Sequence, residues 1–301
     1  MSKILVCGLV NVETTVSIDS FPLEYCPIDY NFFGINSYPA GVALNISLAL
    51  NTLSDTVKLL SMIGNDSAGK VVRSVLSEHN IDDDYLCETS HTAQSVVLFD
   101  KDGRRRIFCD LKDFQDRSYD ESVFKKAVAD TDVLCLCNIN FSRNLLSVAK
   151  SMGKTIATDV HVLSDIDDDY NRDFLEHADI LFLSNENISG CEQEFIEKLK
   201  NKYDCKIIVC GMGKNGALMY TRDTDSFYIE PACKVREIVN TVGAGDALFS
   251  SFVHFYAKGY SAKDCLKYAT VFASYKIGDN GAAKGFINES DLLLLSEKIK
   301  E

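Results

Sequence analysis

Short apolar runs rich in Val, Ile and Leu recur along the chain, separated by stretches whose apolar positions return with helical spacing. Residues 3–8 open the series, and residues 57–63, 133–137, 155–159, 180–183 and 206–210 continue it. Val71, Val72, Val75 and Leu76 form one of the intervening helical faces. This alternation predicts βα units stacked on a largely parallel sheet with helices on both sides, and ligand sites outside the carboxyl ends of the strands. A further run, residues 235–239, reads as a strand leading into the helical pattern that starts at Ala247-Leu248-Phe249.

Two stretches break the alternation and read as paired strands. Residues 10–37 hold Pro22 and Pro27 among aromatics, while residues 95–99 and 105–110 flank the turn Asp100-Lys101-Asp102-Gly103. Together, segments of about 10–37 and 92–112 predict a small sheet projecting from the main body. A flap beside the strand ends is a natural lid, because closure keeps water from a reacting centre. No repeat, linker or low-complexity segment divides residues 1–301, so the chain reads as a single α/β domain.

The chain is long enough, and at 46% hydrophobic residues apolar enough, to bury one large core. Its net charge of −13 argues against a nucleic-acid partner, whose affinity rests on Lys and Arg displacing counterions, but leaves room for a locally basic pocket. The run Arg104-Arg105-Arg106 lies among Asp100, Asp102 and Asp110 and reads as a strand edge. Eleven cysteines are scattered, mostly among apolar neighbours, and read as reduced thiols; the Cys135-Leu136-Cys137 spacing does not suit a zinc site. The amino-terminal apolar run is too short for a signal peptide and no stretch approaches membrane-spanning length, which predicts a cytoplasmic protein with no membrane partner.

Three glycine-rich loops carry candidate chemistry. Gly64-Asn65-Asp66-Ser67-Ala68-Gly69-Lys70-Val71 comes within one residue of a P-loop, but Val71 has no oxygen for magnesium, so it reads as a structural βα turn. Gly211-Met212-Gly213-Lys214-Asn215-Gly216 fits a dinucleotide pattern, yet it leads into a hairpin rather than a helix. Its glycines would still let backbone approach a nucleotide closely. The third, Asn240-Thr241-Val242-Gly243-Ala244-Gly245-Asp246, opens a helix, so the amides of Gly243, Ala244 and Gly245 make an anion site at a helix amino terminus. A carboxylate in such a first turn favours the helix dipole by about 0.3–1 kcal/mol, but beside a phosphate it repels. Taking the proton of an attacking hydroxyl would give Asp246 a purpose there.

With these motifs the sequence resembles the ribokinase-like carbohydrate kinases of the phosphofructokinase-B type, nearly end to end. Residues 240–246 differ from the family's D-T-x-G-A-G-D only at Asn240, and Ala40-Gly41-Val42-Ala43-Leu44-Asn45 is similar to its amino-terminal G-G-x-x-x-N. The resemblance implies a three-layer αβα sandwich with a mostly parallel central sheet and a small β-sheet lid. It further implies ATP-dependent phosphorylation of a primary hydroxyl, with Asp246 as base and residues 243–245 as anion hole.

By the same resemblance Asn11, Glu13, Gly41, Asn45 and Asn138 contact the acceptor, Glu13 standing where ribokinase has Asp. Asn185 and Glu186 face the ATP phosphates and the waters of Mg²⁺, with Ile188 in place of a second acid. Gly211, Gly213 and Gly216 run along the nucleotide, and Thr270 falls near the adenine. A potassium-like ion behind the anion hole is bound in the family partly by the first signature acid; Asn240 lacks that charge, leaving its amide oxygen or main-chain carbonyl as ligands. The resemblance also implies a homodimer through the lid, unless Phe32, Phe33 and Ile35 pack on the main body. Three readings follow: a sugar kinase for a ribose- or fructose-like acceptor, a nucleoside kinase, and a catalytically silent nucleotide- or sugar-binding protein.

Overall fold

The computed structural model describes residues 1–102 and 104–299. Gly103 of the expected turn, and the last two residues of the chain, lie outside the described residues. The chain begins with β1 (Lys3–Cys7), β2 (Asn11–Ser17), β3 (Ile35–Ala40), α1 (Val42–Thr52), β4 (Thr56–Gly64) and α2 (Ser67–Glu78). Then come β5 (Leu86–Thr89), β6 (Ala93–Phe99), β7 (Arg105–Asp110), α3 (Glu121–Val128), β8 (Val133–Leu136) and α4 (Asn140–Ser151). They are followed by β9 (Thr155–Val162), α5 (Arg172–His177), β10 (Ile180–Ser184) and α6 (Glu192–Lys202). The strands β11 (Ile207–Gly211), β12 (Ala217–Thr221) and β13 (Ser226–Glu230) precede α7 (Ala244–Ala257), α8 (Ala262–Lys276) and α9 (Glu289–Lys298).

Nine strands form one sheet in the order β13-β12-β11-β10-β9-β8-β1-β4-β5, parallel except for the β11–β12–β13 meander. The alternation of side chains explains its two covered faces. Ile4 and Val6 of β1 point into a core shared with α1, α7 and α8, while Leu5 and Cys7 point into a second core shared with α3, α4 and α6. The same split recurs in β10, with Ile180 and Phe182 on one side and Leu181 and Leu183 on the other. A three-layer αβα sandwich results.

The second sheet, β3-β2-β6-β7, takes its strands from both segments that break the βα rhythm. Its β6–β7 pair is the expected hairpin, and β2 joins β6 in parallel. The near-P-loop is a structural turn: Asp66 caps α2 through the Gly69 amide at 2.8 Å and also accepts from the amide and hydroxyl of Thr92.

One predicted strand is absent. Residues 235–239 run as irregular chain, with Val239 and Asn240 amides both donating to the carbonyl of Ile277 after α8. With β13 already on the edge as an antiparallel strand, this segment crosses to the end of α8 instead of extending the sheet. Arg236 anchors it, lying over the Tyr275 ring at 4.1 Å and donating to the Tyr275 carbonyl. The position of α7 is fixed from its other end, where buried His254 Nδ1 lies 2.7 Å from Asp55 Oδ2.

Candidate active site

A cleft of about 790 Å³ opens where the carboxyl ends of β9, β10 and β11 face the amino terminus of α7 and one side of α8. Its size and its place at the strand ends suit a small-molecule site. Gly243 caps α7 at φ 78°, and a Cβ there would fall 2.6 Å from the Ala282 carbonyl oxygen, so only glycine fits this turn without displacement.

Within the turn the amides of Gly243 and Gly245 have no acceptor among the described residues, as the first amides of a helix do not. The Ala244 amide donates to the Thr241 carbonyl at 3.2 Å. Of the three amides expected to form an anion site, two are therefore free, because the i to i+3 turn that precedes α7 consumes the middle one.

Asp246, in the first turn of α7, lines the cleft and is half-buried. Its Oδ2 accepts from Asn45 Nδ2 of α1 at 2.7 Å. Burial raises its proton affinity above the ordinary carboxylate value; the Asn45 hydrogen bond, His161 and Lys276 oppose that rise, and Asp159 adds to it. A carboxylate poised in this way is a better base than a solvated one.

Asn45 sits in α1, whose cap Gly41 has φ 104° and would place a Cβ 2.5 Å from the Leu9 carbonyl oxygen. That close approach brings α1 against the turn entering β2. There Asn11 Nδ2 donates to Ser95 Oγ at 3.1 Å, Ser95 lies 3.3 Å from Glu13 Oε2, and Tyr38 donates to Glu13 Oε1 at 3.1 Å. Asn11 Oδ1 and Asn45 Oδ1 are buried without a hydrogen-bond partner. Asn138 does not join this group: its amide donates to Asn171 Oδ1 at 3.1 Å and its carbonyl accepts from Tyr170.

At the other end of the cleft Gly211, Gly213, Gly216, Glu186 and Thr270 all line the wall. The Thr270 hydroxyl is spent on the Leu266 carbonyl at 2.9 Å, so it offers the cleft its methyl group and not a donor. Asn185 is turned away, its amide donating to Glu192 Oε1 at 2.7 Å. No group of three or more ligating side chains converges as a metal centre among the described residues. Glu186 suits an Mg²⁺ that arrives on a nucleotide and is reached through water.

Several lining residues escaped the sequence reading. Asp159 and His161 come from the end of β9, where His161 adopts φ 59° and its amide donates to Asp159 Oδ1 at 2.8 Å. Their place at a strand terminus was the available signal. Arg105, read as part of a strand edge, instead reaches the cleft from the small sheet. With Lys214, Lys234 and Arg236 it sets four basic side chains beside the acids Asp159, Glu186 and Asp246 in the cleft of a protein whose net charge is −13. Lys276, fully buried at the end of α8, donates to the carbonyls of Val242 and Gly281, the latter at 2.7 Å.

Comparison with known proteins gives a consistent family. The profile of the pfkB family carbohydrate kinases matches residues 1–288. The chain is 22% identical over 294 residues to acarbose 7(IV)-phosphotransferase of an Actinoplanes species, covering 97% of each protein. It is 26% identical to a nucleoside kinase of Methanothermobacter thermautotrophicus, covering 80% of this chain and 79% of that one. Among solved structures it is similar to a microbiome-derived acarbose kinase (TM-score 0.86, 21% identity, 98% and 99% coverage). It is also similar to Arabidopsis thaliana ribokinase complexed with ribose and ATP (TM-score 0.82, 19% identity, 99% of each chain).

Proposed function

The chain belongs to the pfkB family of carbohydrate kinases, ATP-dependent phosphotransferases with the ribokinase fold, and on that premise we propose that it phosphorylates a primary hydroxyl of a ribose- or fructose-like sugar with Asp246 as the base. One observation carries the reading: a carboxylate of raised proton affinity lies one residue beyond two unpaired amides, inside the same cleft. The hydroxyl to be phosphorylated sits between Asp246 and the terminal phosphate of ATP. As its oxygen bonds to phosphorus, its proton passes to Asp246 and the bond to the leaving ADP oxygen breaks. The Gly243 and Gly245 amides receive charge on the transferred group. Mg²⁺ bound with ATP supplies further neutralisation of the phosphates.

Asn11 Oδ1 and Asn45 Oδ1, buried and unpartnered, suit acceptance of protons from sugar hydroxyls, with Glu13 beside them. Asn45 would then both hold the acceptor and orient the base. The glycine wall at residues 211–216 and the surface around Thr270 suit the nucleotide. The small sheet acts as the lid, delivering Arg105 to the cleft. Tyr25, Phe32 and Phe33 of the β2–β3 connection and Ile107 and Phe108 of β7 are exposed and suit a second copy of the chain, which light scattering would detect. No helix among the described residues is long and apolar enough to cross a membrane. Free thiols favour a cytoplasmic setting.

The test is ADP formation from ATP and Mg²⁺ against a panel of pentoses, hexoses and nucleosides. A sugar as best acceptor supports the reading. A nucleoside as best acceptor moves the substrate class while leaving the chemistry, and absence of turnover with retained nucleotide binding overturns it.

A further inference from the structure

Lys276 is a charged side chain with no exposure at all, placed directly behind the turn that presents the free amides. An isolated ammonium in such a place costs several kcal/mol unless oxygens replace its water. Here the oxygens are main-chain carbonyls from two loops, Val242 before α7 and Gly281 after α8. Burial lowers its proton affinity to about 8, opposed by the carboxylates of Asp246 and Asp279 and reinforced by Arg236. Carbonyl oxygens gathered in one place are a donor set that can replace the hydration shell of a monovalent ion such as K⁺. That ion does not fit here. Both carbonyls are engaged by Lys276, and the Asn240 side chain is spent on the Val242 amide at 2.8 Å and on Asn280 at 3.1 Å.

We propose that the ammonium group of Lys276 is the resident cation of the anion-binding turn, held by the Val242 and Gly281 carbonyls, so that turnover does not depend on K⁺. The coupling runs through one peptide unit. In a trans peptide the carbonyl and the following amide point in opposite directions. The carbonyl of Val242, held by Lys276 on the buried side, therefore directs and polarises the Gly243 amide toward the cleft. Lys276 is a positioning residue: it acts on the phosphoryl group through Gly243 and by its charge, without touching substrate.

This inference rests on the kinase reading, and its test separates the two. Turnover and, by calorimetry, MgADP affinity are measured in buffers whose only other cation is tetramethylammonium, then with KCl, NaCl or NH₄Cl added at constant ionic strength. The native chain should change by no more than about twofold, the residue of ion-specific screening. Lys276→Ala should lose about 10²-fold in kcat, the scale of one lost charge-stabilising group, and recover about tenfold or more with K⁺ or NH₄⁺. Lys276→Met, whose stem refills the space, should lose as much and recover nothing. Activation of the native chain about tenfold by K⁺, an unimpaired Lys276→Ala, or a loss that no cation restores would each overturn the proposal. Should the variants not fold, the native measurement alone decides. Should no acceptor turn over, the kinase reading fails while the cation dependence of MgADP affinity still tests Lys276.

Discussion

Asn45 Nδ2 donates to Asp246 Oδ2 at 2.7 Å across 201 positions of sequence, joining α1, which starts after Gly41, to α7, which starts after Gly243. The bond holds the carboxylate in one orientation and opposes the rise in proton affinity that burial brings. Replacing Asn45 by Ala should lower kcat by about tenfold or more, the scale of a hydrogen bond to a charged group. Asn45→Asp should be worse at neutral pH, because a second carboxylate at this distance raises the proton affinity of Asp246 further. Its activity should therefore return partly at higher pH. Rate profiles of both variants against pH check this.

Asp246→Asn should reduce turnover by about 10²-fold or more, since an amide cannot take the hydroxyl's proton. MgADP affinity, which depends on the glycine wall and the free amides, should stay within about threefold of the native value. Full activity in this variant with the best acceptor would remove Asp246 from the role of base.

The pH dependence of native turnover should be bell-shaped. On the acid side activity falls as Asp246 takes up a proton, at a pH above the ordinary carboxylate value because burial raises its affinity, with Asp159 adding and Asn45, His161 and Lys276 opposing. On the alkaline side it falls above about pH 8, where Lys276 gives up the charge that Asp246 and Asp279 favour and burial and Arg236 disfavour. For stability the Lys276 contribution runs the other way. Its affinity in the folded chain, about 8, lies below the ordinary 10.5, so between these values the unfolded chain holds the extra proton. Stability from this group therefore rises with pH across that window. Loss of activity in this range without loss of thermal stability would distinguish titration at the site from unfolding.

The βα rhythm, the small sheet and the turn of residues 240–246 were legible because each depends on local pattern: alternating burial, a hairpin turn, small residues opening a helix. The run at 235–239 misled because its apolar residues are no different from those of a true strand. Only the sheet edge, already occupied by β13, excludes it. Asp159 and His161 were invisible because their relation to Asp246 is made by neighbouring strand ends, not by spacing. No motif pointed to Lys276; its burial accompanies the return of the chain after α8, where Gly281 offers it a carbonyl. The roles expected of Asn138 and Asn185 came from resemblance to a motif, and that of the Ala244 amide from its place at the start of a helix. In this fold each group is satisfied elsewhere, by Thr241, by Asn171 and by Glu192.

Two glycines of the signature should respond to alanine in opposite senses. At Gly243 the positive φ and the contact with Ala282 mean that Ala must displace the turn, so both stability and turnover should fall, stability by more than about 1 kcal/mol. Gly245 has an ordinary helical backbone inside α7, and a Cβ there meets nothing within 4 Å. On backbone grounds Ala should stabilise the helix by up to about 1 kcal/mol. That empty space is the cleft, however, and the added methyl group would stand where a phosphoryl group must approach the free amides. Gly245→Ala should therefore raise the melting temperature while lowering kcat/KM for ATP. A variant that is both more stable and fully active would mean that no phosphate passes over this turn.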